Sequence, residues 1–482
     1  MRHTKSSLVA LVVALSICAA PAMASAAETD GRSDVAYNSM LGAGFGATTF
    51  ASAVVEQADG SVVLGGNFDF LAGAAVPFGL VRLSPDGRVD GAFASALGTG
   101  FDAPVSAVAQ LADGSLLVGG AFTTLDGVDV PDHLVLLRPD GTLDTAFAQE
   151  LGTGFDRFVD KVAAAPDGDL IIAGRFTSLD GVDISDSLTV LDPSGAVDPA
   201  AAHALGTGFS GQGSTSVLDV AVAPSGAVVV AGTFTELNGL GVPQSFVRLN
   251  PDHTVDDAFA SKVGMTGIPG AISVDVLPDG RILVGGFFTA IAGEPLATGL
   301  ARLQSDGSVD LAFSRALGTG FDLPVADVDV QDDGKIVAAG IFTTLDGRPA
   351  GHLVRLLPDG RVDPVFATNT GAGADFDLYT VVVARSGGLW VAGRARAVDG
   401  VDVPDGFFRL LSGPDSRIAT EAPAAEGEIP ETGAAARQLA ATGAGATTPF
   451  LLAGGGIFAA GALVLGVNAA RQTRRARLGK RD

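Results

Sequence analysis

Residues 97–147 read LGTGFDAPVSAVAQLADGSLLVGGAFTTLDGVDVPDHLVLLRPDGTLDTAF, and this one segment contains the plan of the chain. LGTGFD (97–102) is a Gly-rich loop, and PVSAVAQL (104–111) is an extended run that leads into the tight turn ADG (112–114). SLLVGGAF (115–122) is a continuous apolar run, and TTLDGVDVPD (123–132) is a longer acidic loop. HLVLLR (133–138), a second turn PDG (139–141) and TLDTAF (142–147) complete the unit. Short apolar runs between Gly/Asp/Pro turns, without helical periodicity, predict an antiparallel meander of four strands. Because the apolar runs are continuous rather than alternating, both faces of each sheet are expected to be covered.

The plan recurs seven times. A small-residue pair ending in glycine marks each copy, at Gly66, Gly120, Gly174, Gly232, Gly286, Gly340 and Gly393, with spacings of about 54 residues and one of 58. A second series, Gly60, Gly114, Gly168, Gly226, Gly280, Gly334 and Gly387, places a turn before each apolar run. One supersecondary unit stacked on its copies follows from such regularity. Four-stranded sheets packed face to face around an axis make a β-propeller.

The seventh copy stops after FFRL (407–410), and DGRSDVAYNSMLGAGF (30–45) aligns without a gap to DGRVDGAFASALGTGF (86–101). The expected fold is therefore all-β, a seven-bladed propeller over 28–411 closed by an N-terminal clasp strand, which removes free sheet edges. An open solenoid is the alternative. It has no need of this complementary split. The short turns should lie on one face of the ring and the longer loops, the better binding candidates, on the other.

The ends of the chain carry addresses. Arg2 and Lys5, an apolar stretch Leu8–Ile17 and small residues ending Ala24-Ser25-Ala26 predict a secretory signal peptide over 1–27, with Ala24 and Ala26 at the cleavage site. A lipoprotein reading of Cys18 is disfavoured by the bulky Ile17 before it. Loss of Cys18 leaves no cysteine, so stability must come from the core. Residues 412–438 have the composition of a flexible stalk. Residues 439–482 hold LAATG (439–443), an apolar span 450–470 long enough for a transmembrane helix, and a basic tail with Arg471, Arg474, Arg475, Arg477, Lys480 and Arg481.

This ending resembles the cell-wall sorting signal of Gram-positive, actinobacterial surface proteins, LAATG looking like a form of the LPxTG motif. The resemblance implies a sortase transpeptidase and peptidoglycan as partners. Leu439, Ala440, Thr442 and Gly443 would be the recognition residues, with cleavage between Thr442 and Gly443. IPETG (429–433) is a rival motif that keeps the proline but lies ten residues further from the span. The repeat unit itself resembles the bacterial β-propeller repeats called delta-60 repeats, over roughly residues 30–411. That resemblance implies a propeller on a secreted or surface protein and brings no catalytic residues with it. His253 departs from the pattern by standing at a turn glycine, as do four extra residues in the fourth copy.

Charge narrows the partners. Removing the +2 of the leader and the +5 of residues 444–482 from the formal net charge of −24 leaves about −31. Such a body repels nucleic acid and anionic lipid, so the membrane is met only through the C-terminal span.

Chemistry is sparse. The histidines, His3, His133, His203, His253 and His352, do not cluster, and no G-x-S-x-G elbow occurs. The LGTGF strings lack the lysine of phosphate loops and precede strands. One pattern stands out: Asp126, Asp129 and Asp132 recur as Asp180, Asp183 and Asp186, and as Asp399, Asp402 and Asp405. Carboxylates three apart on a loop suit Ca²⁺, but the order is not that of calcium loops and Asp-Gly is itself a turn former. The single Trp390 and repeated Phe122, Phe176 and Phe234 read as core rather than sugar platforms. No cluster of titratable residues that breaks the repeat is evident at the ring axis. A non-enzymatic, wall-anchored protein binding an extracellular protein or surface polymer is expected, with a purely structural component or an extracellular hydrolase or lyase as alternatives.

Overall fold

The computed structural model describes residues 30–46, 49–211, 215–385 and 388–412. The signal peptide, most of the stalk, LAATG, the rival IPETG and the span 450–470 lie outside these residues. Among the described residues no helix is long and apolar enough to cross a membrane.

Each predicted apolar run is the middle strand of a three-stranded antiparallel sheet. The seven are Val62–Asn67, Leu116–Gly120, Leu170–Gly174, Val228–Thr233, Ile282–Gly286, Ile336–Gly340 and Gly388–Gly393. In the second unit the inner strand Val105–Gln110 and the outer strand Leu134–Leu137 flank Leu116–Gly120, with Val108 and Val135 both opposite Val118. Inner strands of successive sheets lie side by side, and that of the last sheet reaches the first. The result is an all-β, propeller-like fold.

The fourth strand of the expected meander is not a strand. In TLDTAF only Leu143 pairs, in a single bridge to Leu137, and the chain then turns into the helix Thr145–Leu151. Local chemistry explains the difference. Asp144 accepts hydrogen bonds from the backbone N–H groups of Ala146 and Phe147, which makes it an N-cap. Phe147 and Leu151, four apart on one face, are both buried. Asp34, Asp90, Asp198, Asp256, Asp310 and Asp363 cap equivalent helices. A helix this short falls below what periodicity can detect.

The glycine pair has a packing reason. A Cβ at Gly119 would press into Val159 of the next sheet, and one at Gly120 would strike the Pro104 carbonyl beside the bulge in the inner strand. The crowding thus comes from the neighbouring sheet and the sheet's own bulge. His253 keeps the turn by adopting φ +64°, the left-handed region that glycine occupies in sister turns such as Gly87 and Gly141.

Apolar clusters sit between sheets. One joins Ala53, Val55 and Leu80 of the first sheet to Val105, Val118 and Val135 of the second. Another joins the two ends of the described chain, packing Val382, Trp390 and Phe407 against Tyr37, Leu41, Phe45 and Val62. Residues 31–34 also run beside the last strand. Gly31 N–H donates to the Leu411 carbonyl at 2.6 Å, Leu411 N–H to Arg32 at 2.8 Å and Asp34 N–H to Arg409 at 2.9 Å.

Candidate functional site

The acidic loops fold as two-residue hairpins, Thr124–Leu125 pairing with Val128–Asp129 in the second unit. The first aspartate of the motif closes a neighbouring loop. Asp126, at φ +51°, accepts from the Thr99 N–H at 2.8 Å and the Thr99 hydroxyl at 3.0 Å. Asp180 does the same with Thr153, and Asp399 accepts from the Ala372 N–H at 3.0 Å. Those backbone and hydroxyl donors hold the Asp126 and Asp180 carboxyls below the usual range.

Asp129, Asp183 and Asp402 stand exposed at the hairpin ends. Asp132, Asp186 and Asp405 pair by backbone with Gly154, Gly208 and Gly44, and partial burial pushes the Asp132 and Asp186 carboxyls up. The three aspartates of one motif thus have three separate positions. Among the described residues, no three His, Cys, Asp or Glu side chains converge as metal ligands would.

Beside the second hairpin lies an open groove of about 660 Å³. Thr123, Asp129 and Asp132 form one wall, and Thr145, Ala148 and Gln149 of the following helix form the other. Four hairpin tips leave an apolar side chain in water: Val128, Val182, Leu240 and Val401 are 56–70% exposed.

A second constellation was not anticipated. At one register position of the inner strands stand Ala53, Ala107, Lys161, Asp219, Ser273, Asp327 and Thr380, each opposite a Gly or Ala of the middle strand. From Lys161 onward these residues form a buried polar chain. Lys161 Nζ lies 3.3 Å from Asp219 Oδ1. Asp219 Oδ2 accepts from the Val274 N–H of the next sheet at 2.8 Å. Asp327 accepts from the Thr380 hydroxyl at 2.7 Å and the Val381 N–H at 2.9 Å. Two residues further on, Asp329 takes the Val383 N–H at 2.7 Å, while Asp275 faces Asp329 electrostatically.

Burial raises Asp219 to about 7 despite Lys161, and Asp327 to about 6. It drives Asp275 up as well, Asp329 adding to the shift. The innermost strand edges carry N–H groups that no further strand can meet, and these carboxylates accept them across the sheet boundaries. A titratable cluster that breaks the repeat is therefore present, contrary to the sequence expectation. The alternation of Ala53 and Ala107 with Lys161, Asp219 and Asp327 at equivalent positions was the available signal.

Four segments, 57–93, 111–147, 277–313 and 331–366, match a family described as "Domain of unknown function (DUF5122) beta-propeller". Among curated proteins none matches the sequence. Of solved structures, the WD40 propeller domain of Doa1 is 15% identical, with 77% of this chain and 96% of that one covered at a TM-score of 0.44. PorZ, a surface component of the type-IX secretion system of Porphyromonas gingivalis, is 15% identical over 76% of this chain and 47% of its own, at 0.41. The extracellular domain of BT4673, a putative one-component system from B. thetaiotaomicron, is 11% identical over 77% and 39%, at 0.40. The chain spans under half the length of these last two. Nothing of activity follows from likenesses at such scores. The repeats matched by the family, together with the sheets described above, make the chain a β-propeller repeat protein.

Proposed function

We propose that the seven sheets are the blades of a closed propeller, clasped by residues 30–45, and that the protein is a non-enzymatic binding protein of the cell surface. It is anchored to peptidoglycan through LAATG after sortase cleavage at Thr442–Gly443. Its ligand is an extracellular protein or surface polymer, met by the hairpin face. The exposed tips carry this reading: Val128, Val182 and Val401 stand in water, each followed by an exposed aspartate, beside an open groove. Apolar side chains rimmed by polar ones on a loop face favour an interaction surface over a packing role. The first aspartates then act as loop clamps, so added Ca²⁺ leaves the melting temperature unchanged.

The test is adhesion of the purified protein to whole cells and wall preparations. Val128→Ser with Val182→Ser and Leu240→Ser should cut retention at least several-fold without shifting the melting temperature. Retention equal to that of the parent would refute the binding role and leave a purely structural wall component, which the near-identical clamps at Asp126, Asp180 and Asp399 favour. Thr442→Ala should move the protein from the wall fraction to the membrane fraction. If Thr432→Ala does so instead, IPETG is the cleaved motif.

A further inference from the structure

We propose that Lys161 and Asp219 are a self-modification site, joined by an amide bond that covalently links the inner strands of the third and fourth sheets. Both side chains are almost wholly buried, at 3% and 1% exposure, with Nζ 3.3 Å from Oδ1. Lys161 Nζ has its ion-pair contact with Asp219 but makes no hydrogen bond. A buried ion pair so poorly satisfied by hydrogen bonds is costly, and condensation replaces it with an uncharged amide. The electrophile is fixed in place. Asp219 Oδ2 accepts from Val274 N–H at 2.8 Å and Oδ1 from Val220 N–H at 3.0 Å, which polarises the carbonyl. Holding amine and acid in contact on two rigid strands removes the entropic barrier to condensation.

The step balances without an oxidant or cofactor. Lys161 Nζ gives one proton to Asp219 Oδ1, 3.3 Å away, attacks Asp219 Cγ with the lone pair so freed, and passes a second proton to the Asp327 carboxylate. The Cγ–Nζ bond forms, and the Cγ–Oδ1 bond breaks. Asp327 returns that second proton to the departing Oδ1 hydroxyl, which leaves as one water. Charge is conserved, since an ammonium and a carboxylate become a neutral amide and water. Asp327 suits the shuttle on two counts. Its carboxyl is held by Thr380, Val381 and Val328, and it sits within the electrostatic reach of Lys161. Burial, opposed by Lys161, raises Asp219 to about 7, so its acid form is populated at neutral pH. Asp219 keeps its bond from Val274 through Oδ2 after condensation. The single cysteine of the chain, Cys18, lies in the predicted leader, so no disulfide bridges the sheets, and this bond would take that role.

Tryptic mapping of the purified full chain decides the matter. Arg157, Arg175 and Arg248 bound the two peptides concerned. The expected product is peptide 158–175, uncut after Lys161 and joined to peptide 176–248, lighter than their sum by one water. Lys161→Met and Asp219→Ala should each abolish it. Asp327→Asn should reduce it severalfold, and unchanged yield there would overturn the shuttle role. Recovery of free 158–161 and 162–175 as the main products of the parent protein would overturn the proposal, whatever the variants do. Amine acetylation in denaturant gives an independent reading: Lys161 must stay unlabelled.

Discussion

The arginine of the outer strand shows how much one residue does here. Arg302 donates twice to Asp310, at 3.0 and 2.7 Å, lies 4.4 Å over the Phe313 ring, and gives a third hydrogen bond to the Pro358 carbonyl of the next unit. Arg82 and Arg248 repeat the pattern with Asp90 and Asp256, reaching Pro139 and Ser305. Arg302→Ala leaves Asp310 half-paired in a buried site, so a loss of about 3 kcal/mol is expected in denaturant unfolding. The exposed Arg361–Asp359 pair is screened by water, and Arg361→Ala should leave the midpoint unchanged.

Titration belongs to the same scale. Asp327 binds its proton up to about pH 6 when folded, mainly because burial disfavours the charge, whereas the unfolded chain releases it near pH 4. Across that window the folded state holds more protons, so stability falls as pH rises. Melting temperature should therefore be higher at pH 5 than at pH 7.5. Asp327→Asn should flatten that slope, and an unchanged slope would contradict the shift. The residues behind both effects were in plain view. The Arg and the Asp eight positions later recur visibly in sequence, but Lys161, Asp219 and Asp327 are scattered over three copies. Only the closing of the sheets brings them together.

At the scale of elements, the middle strands were legible because continuous apolar runs between turn glycines have one physical reading. The seven short helices were not, since two buried positions on six or seven residues cannot establish a helical period. Their signal lay in the caps. Asp144 has its carboxyl held below the usual range, first by the Phe147 N–H. Asp144→Ala should cost about 1 kcal/mol, read as a shift in urea midpoint at constant m-value. Asp144→Ser should recover most of it. The acidic motif was legible as turn chemistry and as spacing. The clamp from Asp126 to Thr99 was not, because it depends on φ +51° at the hairpin tip.

At the scale of the molecule, residues 31–34, from the segment whose sequence aligns with 86–101, run beside the last strand. Arg355 stands at this seam. It pairs with Asp363 as its sisters do, but where Arg302 reaches the next unit's turn, Arg355 donates to Asp30 at 2.8 Å and to Ser412 at 3.0 Å. One buried guanidinium thus ties together both ends of the described chain. Trp390, the only tryptophan, lies 4.9 Å from Tyr37 in that seam. Removing residues 30–45 should expose it, so tryptophan emission should shift to the red and quenching by acrylamide should rise. Emission unchanged from the parent would mean the segment does not cover the last sheet.

The contact between Gly31 and Leu411 also sets the order of assembly. The first part of the described chain to be synthesised finds its partner only in the last, so a loop of nearly the whole described chain must close before the last sheet is complete. Pairing of residues 31–34 with the last strand is thus a late, slow event governed by chain topology rather than by local preference. Until the final repeat has emerged, the nascent polypeptide stays open at one edge. The ribosome therefore holds an incomplete array, and this seam can form only once the last sheet is free.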